Sequence, residues 1–188
     1  IENKWDWGAL SANSSIQFSK EFIIEHNEKN WNWSKLSIRN DIKFDNETFV
    51  KLSDKEWDWE AISKRVDISF SEDMIVQFKD KPLNWMVLSQ NKSFVPNATT
   101  LSILKGKELD WVAISKNENL STDCFWAYRE NLNWKNITKN KIFEISDSEI
   151  LSKYQDYIDW QFISNSDKFK PTVINLKRFK NQLNWNNI

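Results

Sequence analysis

The chain has 188 residues, a mass of 22.5 kDa, 40% hydrophobic residues with 12 Trp and 12 Phe, and 26 basic against 27 acidic side chains for a net charge of −1. It contains no run of about 18 apolar residues, so no transmembrane helix is expected, and no basic-apolar-small segment at its start, so export is not indicated. One cysteine (Cys124), one histidine (His26) and two glycines (Gly8, Gly106) leave no internal disulfide, no His-rich metal site and no phosphate-cradling loop, and fit a reducing, cytoplasmic setting.

Taken in chain order, tryptophans recur at Trp7, Trp33, Trp59, Trp85, Trp111, Trp134, Trp160 and Trp185, spaced 26 residues apart except for one interval of 23 and a last one of 25. Counted from two residues earlier, the repeats start at Trp5, Trp31, Trp57, Leu83, Leu109, Leu132 and Ile158, with a partial one at Leu183. Internal repetition at this period is the signature of a stacked-repeat fold.

Each column has a physical reading. The first is always large and apolar. The second (Asp6, Asn32, Asp58, Asn84, Asp110, Asn133, Asp159, Asn184) holds N-cap residues, whose short side-chain oxygen accepts from an exposed backbone N–H. The third is always Trp. The sixth (Leu10, Leu36, Ile62, Leu88, Ile114, Ile137, Ile163, Ile188) lies four positions past the cap and closes a hydrophobic staple with the first. The seventh is Ser, with Thr138 once, a small hydroxyl able to bond back to the preceding turn. The ninth is mostly Asn (Asn13, Asn91, Asn117, Asn140), with Arg39, Arg65 and Ser166. Asn there is expected to end the helix in the left-handed conformation.

The same grammar recurs half a repeat later. The fifteenth column (Ser19, Asp45, Ser71, Asn97, Asp123, Ser146, Thr172) holds N-cap types. Phe18, Phe44, Phe70, Pro96, Ile145 and Pro171 precede them, and Ile23, Phe49, Ile75, Leu101, Ile150 and Leu176 stand four residues beyond. The staple fails only at Thr122 and Ala127, in the 23-residue repeat. The predicted fold is an all-α solenoid of about seven repeats with two short helices each, a single array over residues 1–188. A lone repeat has no second surface to bury against, so stacking is required. The ends of the chain suggest a segment of a longer protein with flanking domains.

The motif W-[DN]-W-x-x-[IL]-[ST]-x-N, clearest at Trp5-Asp6-Trp7 with Leu10-Ser11 and Trp57-Asp58-Trp59 with Ile62-Ser63, resembles tandem tryptophan-rich repeats of uncharacterised bacterial and giant-virus proteins. The resemblance covers the whole chain and implies a helical repeat array. It implies no activity.

The third-column tryptophans read as core, retained because an indole N–H can reach a neighbouring repeat's carbonyl. His26, in a column otherwise apolar, reads as a buried, partnered histidine. No nucleophile–base set, metal site or cofactor site is expected, and no enzymatic activity. Three functional readings follow. Trp126 stands outside the two tryptophan columns, beside Phe125 and Tyr128 in the shortened repeat, and with the outward apolar positions Val112 and Phe162 suggests a protein or peptide partner. Arg39, Lys64, Arg65, Lys92, Lys116, Lys139 and Lys141 gather just after the first helix of each repeat. In register they would form a ladder for single-stranded nucleic acid, although Asp41 and Asp67 share the same loops. The third reading is a passive spacer. No membrane partner is expected.

Overall fold

The computed structural model describes residues 5–143, 148–167 and 169–187. Each repeat forms two short helices. The first helices, here called A, are α1 (Trp7–Ala12), α3 (Trp33–Ser37), α5 (Trp59–Ser63), α7 (Trp85–Gln90), α9 (Trp111–Lys116), α11 (Trp134–Ile137) and α13 (Trp160–Ser164). The second helices, B, are α2 (Lys20–Glu25), α4 (Asn46–Lys51), α6 (Glu72–Phe78), α8 (Ala98–Ile103), α10 (Thr122–Tyr128), α12 (Ser148–Lys153) and α14 (Val173–Arg178), and a 3-10 turn follows at Trp185–Asn187. The one β feature among the described residues is an isolated parallel bridge between Phe70 and Phe94. No described helix is long and apolar enough to cross a membrane.

The helix starts follow from the caps. In all seven A helices the second-column Asp or Asn accepts a backbone N–H three residues on. Ser19, Asp45, Asn97 and Thr172 do the same for B helices, while Ser71 begins α6 without a side-chain cap bond. The expected cap Ser146, the Ile145 before it, and Ile188 lie outside the described residues.

Two expectations are corrected. Asp123 is not a cap: Ser121 caps α10 by accepting the Cys124 N–H. Leu120 and Phe125, 5% and 3% exposed, then occupy the staple positions, so the staple that fails at Thr122 and Ala127 is restored two residues earlier. The deletion in this repeat is thus split, with two residues lost between its A and B caps and one after α10. The ninth-column asparagines are not left-handed either. Asn13, Asn91 and Asn117 are extended, and no described residue except Gly106 has positive φ.

The chain divides into two compact units, one of Ile1–Val95 with Ser102–Leu109, the other of Pro96–Leu101 with Asp110–Ile188. In the first, helices A pack in succession, α1 on α3, α3 on α5 and α5 on α7. Leu36, Ile62 and Leu88 from A helices and Ile23, Phe49 and Ile75 from B helices are fully buried. In the second, α9 packs on α11, with Ile114, Ile137 and Ile163 fully buried.

A polar thread runs through both stacks. Ser37 Oγ donates to the Trp33 carbonyl (2.9 Å) and accepts from the Asp58 N–H (2.9 Å) of the next repeat. Ser11 with Asn32 and Ser63 with Asn84 repeat the pattern in the first unit, as do Ser115 with Asn133, Thr138 with Asp159 and Ser164 with Asn184 in the second. The hydroxyl gives the capping residue's own N–H, which points toward the preceding repeat, an acceptor there.

The indole N–H groups tie successive repeats together in part of the array. In the repeats that open at Leu132, Ile158 and Leu183, the third-column indoles of Trp134, Trp160 and Trp185 donate to the carbonyls of Arg129, Gln155 and Lys180, at the end of the preceding B segment. Where the first column is Trp, as at Trp31 and Trp57, that ring takes the equivalent role on His26 and Leu52. In the first unit the third-column rings carry another load. Lys55, Lys81 and Lys107 place their ammonium groups 5.7–5.8 Å from the ring centres of Trp33, Trp59 and Trp85, within cation–π range.

Candidate functional site

The outward side of the A helices in the first unit is built by their period. In α3, α5 and α7 the Trp, aliphatic and Ser positions face inward and are buried, so the intervening positions and the loops after them face out. Ile38 is 56% exposed and Val66 70%. An open cleft of about 690 Å³ lies between α3 and α5, lined by Ile38, Ala61, Val66, Lys43, Glu60 and Lys64 among others. A second of about 320 Å³ lies between α5 and α7, lined by Lys64, Val66, Val87, Gln90 and Lys92. Val66 lines both.

The cation ladder expected along this edge does not form as such. Arg39 and Arg65 are buried, 6% and 4% exposed. Arg65 Nη1 donates to the carbonyls of Ser37 (3.3 Å) and Arg39 (2.8 Å), and Nη2 to Ile42 (2.7 Å) and the Asp67 carboxylate (2.7 Å). Its guanidinium lies 5.4 Å from the centre of the Phe44 ring. Arg39 repeats this on Leu10, Asn13 and Ile16, with Asp41 as its carboxylate and Phe18 beneath. These side chains hold the loop of one repeat to the next and are not available to a phosphate. Lys64 pairs with Glu60 (3.1 Å) and Lys139 with Asp159 (2.9 Å); Lys92, Lys116 and Lys141 are exposed. Hydrogen bonding and the charge of Arg39 hold Asp41 below the usual carboxylate range. At Asp67 burial pushes the pKa up, but the Arg65 bonds and charge outweigh it and the net shift is down.

Val112 and Phe162 are exposed on α9 and α13, at 45% and 38%, and Lys139 sits 5.9 Å from the Phe162 ring centre. Of the expected aromatic cluster, Phe125 and Trp126 meet edge-on, their ring centres 5.1 Å apart. Phe125 is core, edge-on to Trp134. Tyr128 lies against Trp111, its hydroxyl 3.5 Å from the Ala98 carbonyl. Trp126 is 46% exposed. It is not out of register: five residues past the Ser121 cap, it stands where Val50 follows Asp45 and Val76 follows Ser71.

Trp126 instead meets α12. With Arg129, Glu149, Ile150, Lys153 and Tyr154 it lines a pocket of about 220 Å³. Glu130 ties this region together, accepting from the Tyr154 hydroxyl (2.9 Å) and Lys153 (3.3 Å) with Arg129 Nε 3.7 Å away. Tyr154 stacks on Trp134 at 3.7 Å, and the two rings line a cleft of about 380 Å³ with Asn133, Lys135 and the exposed Tyr157. The sequence analysis missed this pocket because it depends on the two-residue slip of the α10 cap. It also missed the buried Arg clasp, for which Arg-x-Asp recurring at Arg39–Asp41 and Arg65–Asp67 was the available signal.

The remaining reactive groups are structural. Burial, with the Asp123 charge second, pushes the Cys124 thiol up to about 12, which removes its nucleophilic form at neutral pH. His26 caps α2, is partly buried, stacks on Phe22 and Trp7, and has Nδ1 2.9 Å from the Phe22 carbonyl. No group of three or more His, Cys, Asp or Glu able to hold a metal occurs among the described residues. Comparison with family models, with curated proteins and with solved structures gives no match to this chain.

Proposed function

We propose that this chain is a non-enzymatic repeat scaffold that binds a protein or peptide partner, as the recognition arm of a larger protein. The observation that carries the reading is the pair of clefts between successive A helices of the first unit, with the exposed Ile38 and Val66 at their centre. Neighbouring grooves that repeat along a stack, with variable outward residues on a uniform core, are how repeat arrays present binding surfaces. The nucleic-acid reading is weakened by the same geometry. Its two arginines are buried in the stack, and Lys64 and Lys139 already face carboxylates, whereas nucleic-acid binding depends on cations left to neutralise phosphates.

The test is selection of peptides from a display library on the immobilised chain, alongside titration with labelled single-stranded DNA and RNA at two salt concentrations. The reading expects selected peptides whose binding changes little with salt and is lost in Ile38→Asp and Val66→Asp proteins that keep their melting temperature. Oligonucleotide binding that falls steeply with salt and drops when Lys64 and Lys92 become Ala would replace it. Absence of both would leave the spacer reading.

A further inference from the structure

We infer that the outward face of α14, in the second unit, is a docking surface for an anionic lipid bilayer, met at its headgroup boundary and not crossed. The inference goes beyond peptide binding at the first unit's clefts and does not depend on it. The expectation of no membrane partner rested on the lack of a long apolar run; a surface contact requires none.

Charge is the first observation. Residues 169–187 hold Lys170, Lys177, Arg178 and Lys180 and no acidic residue, leaving 22 of the 26 basic side chains against all 27 acidic ones elsewhere. The nearest acidic residue in sequence is Asp167. All four cations are exposed, and none is ion-paired among the described residues, unlike Lys64 and Lys139. The second observation is what stands among them. Asn175 and Phe179 are buried, so Val173, Ile174, Lys177 and Arg178 project from the other side of α14. Spacings of three and four put Ile174 beside both Lys177 and Arg178. Ile174 is 73% exposed and Val173 67%.

This exposure does not come from standing in the last whole repeat. Ile174 is the second residue of its B helix. Glu21, Glu47, Asp73, Thr99 and Asp123 hold that place in α2, α4, α6, α8 and α10, and all are exposed although a further repeat follows each. Lys177 likewise stands where Val50 and Val76 are exposed. The usual residue at the Ile174 position is a carboxylate, which a helix favours in its first turn. Ile gives up that interaction and adds nothing to the core. A branched apolar side chain among unopposed cations matches a bilayer interface, where anionic headgroups meet Lys and Arg and the acyl boundary takes Ile and Val. Single-stranded nucleic acid calls for aromatic stacking platforms along the basic track, and the outward face of α14 carries none. A partner protein would have to supply an apolar hollow ringed by acids; a bilayer offers both everywhere on its surface.

The experiment is flotation of the whole chain with vesicles of phosphatidylcholine alone and of phosphatidylcholine with about one-third phosphatidylserine, at low and moderate salt. Labelled oligothymidylate and polyglutamate are titrated alongside. Binding is expected to the serine-lipid vesicles, to weaken as salt rises, and to be at least about tenfold weaker on phosphatidylcholine alone, since each cation at an anionic surface is worth about fivefold in affinity. Lys177→Glu with Arg178→Glu should reduce it to the phosphatidylcholine level. Ile174→Asn, which changes no charge, should weaken it about tenfold, the scale of burying one aliphatic side chain. That variant should keep its melting temperature, because polar residues hold the position in other repeats. Lys64→Ala with Lys92→Ala, in the first unit, should bind as the parent chain does. No flotation with the anionic vesicles, equal flotation with both compositions, indifference to Ile174→Asn, or loss in the Lys64 and Lys92 variant would each overturn the assignment. So would oligothymidylate or polyglutamate that binds more tightly than the vesicles and is lost with Lys177→Glu and Arg178→Glu. Peptide selection on the Ile38–Val66 clefts reads a different surface, so failure here rejects the lipid contact and not the scaffold reading.

Discussion

The first unit closes its repeat junctions in two ways. At Arg39 and Arg65 a guanidinium covers three carbonyls of the preceding repeat and is held in place by an aspartate two residues on. At Asn91 the side-chain amide covers two, those of Ser63 and Arg65 (3.0 and 2.8 Å), while its oxygen accepts the Ser93 N–H. Asn140 in the second unit does the same on Ser115 and Asn117. At these four junctions position nine supplies a donor of fixed planar geometry that satisfies carbonyls freed at the end of an A helix. Arg reaches further than Asn, but it brings a buried charge that must be paired. That is why Asp41 and Asp67 accompany the arginines, whereas Asn91 and Asn140 need only the backbone N–H of the residue two on, Ser93 and Ile142.

The comparison can be broken at several points. The largest effect is expected from Arg65→Ala, which strands three carbonyls and the Asp67 carboxylate. Removing one partner of a buried pair typically costs about 3–5 kcal/mol, read as a lower urea midpoint. Trp59→Ala, on a ring 5% exposed, should cost about the same through loss of core volume and tests the packing that both junction types share. Ser63→Ala removes the hydroxyl that accepts the Asn84 N–H. An unsatisfied buried donor costs about 1–3 kcal/mol, so this variant should fall between those two and the next. Converting the junction with Arg65→Asn and Asp67→Ser keeps the shorter clasp and gives up one of the three carbonyl contacts. The expected loss is about 1 kcal/mol, and a loss as large as that of Arg65→Ala would show that Asn cannot serve in this repeat.

The mildest test is pH. Asp41 and Asp67 titrate below the ordinary carboxylate range when folded, so their contribution is fully present above the unfolded value near 4. It is lost as pH falls through the lower, folded values. Amide exchange across the Arg39 and Arg65 junctions should accelerate in acid before that across Asn91. Asp67→Asn should flatten the acid limb at the Arg65 junction.

Much of this was legible in the residues. The tryptophan spacing, the Asp/Asn caps and the first staple are local: each depends on a side chain and a backbone group within four residues, so the order of residues along the chain suffices to place them. The A helices start where those caps stand. The cap of α10 was misread because the 23-residue repeat hides which of Ser121 and Asp123 opens the helix. Only the neighbouring Leu120–Phe125 pair and its burial distinguish them.

By itself, then, the sequence determined the class of fold, the number of repeats and the start of almost every helix, because capping and stapling are short-range chemistry. The tertiary structure alone decided what position nine does, since its partners lie 23–29 residues away across a junction that exists only once the repeats stack. It also decided that two of the ladder's cations are buried clasps, and that Trp126 packs on Phe125 and lines a pocket with Arg129 and Lys153. Side chains on the same helix share a sequence but not a direction, and burial depends on what the next repeat brings against them.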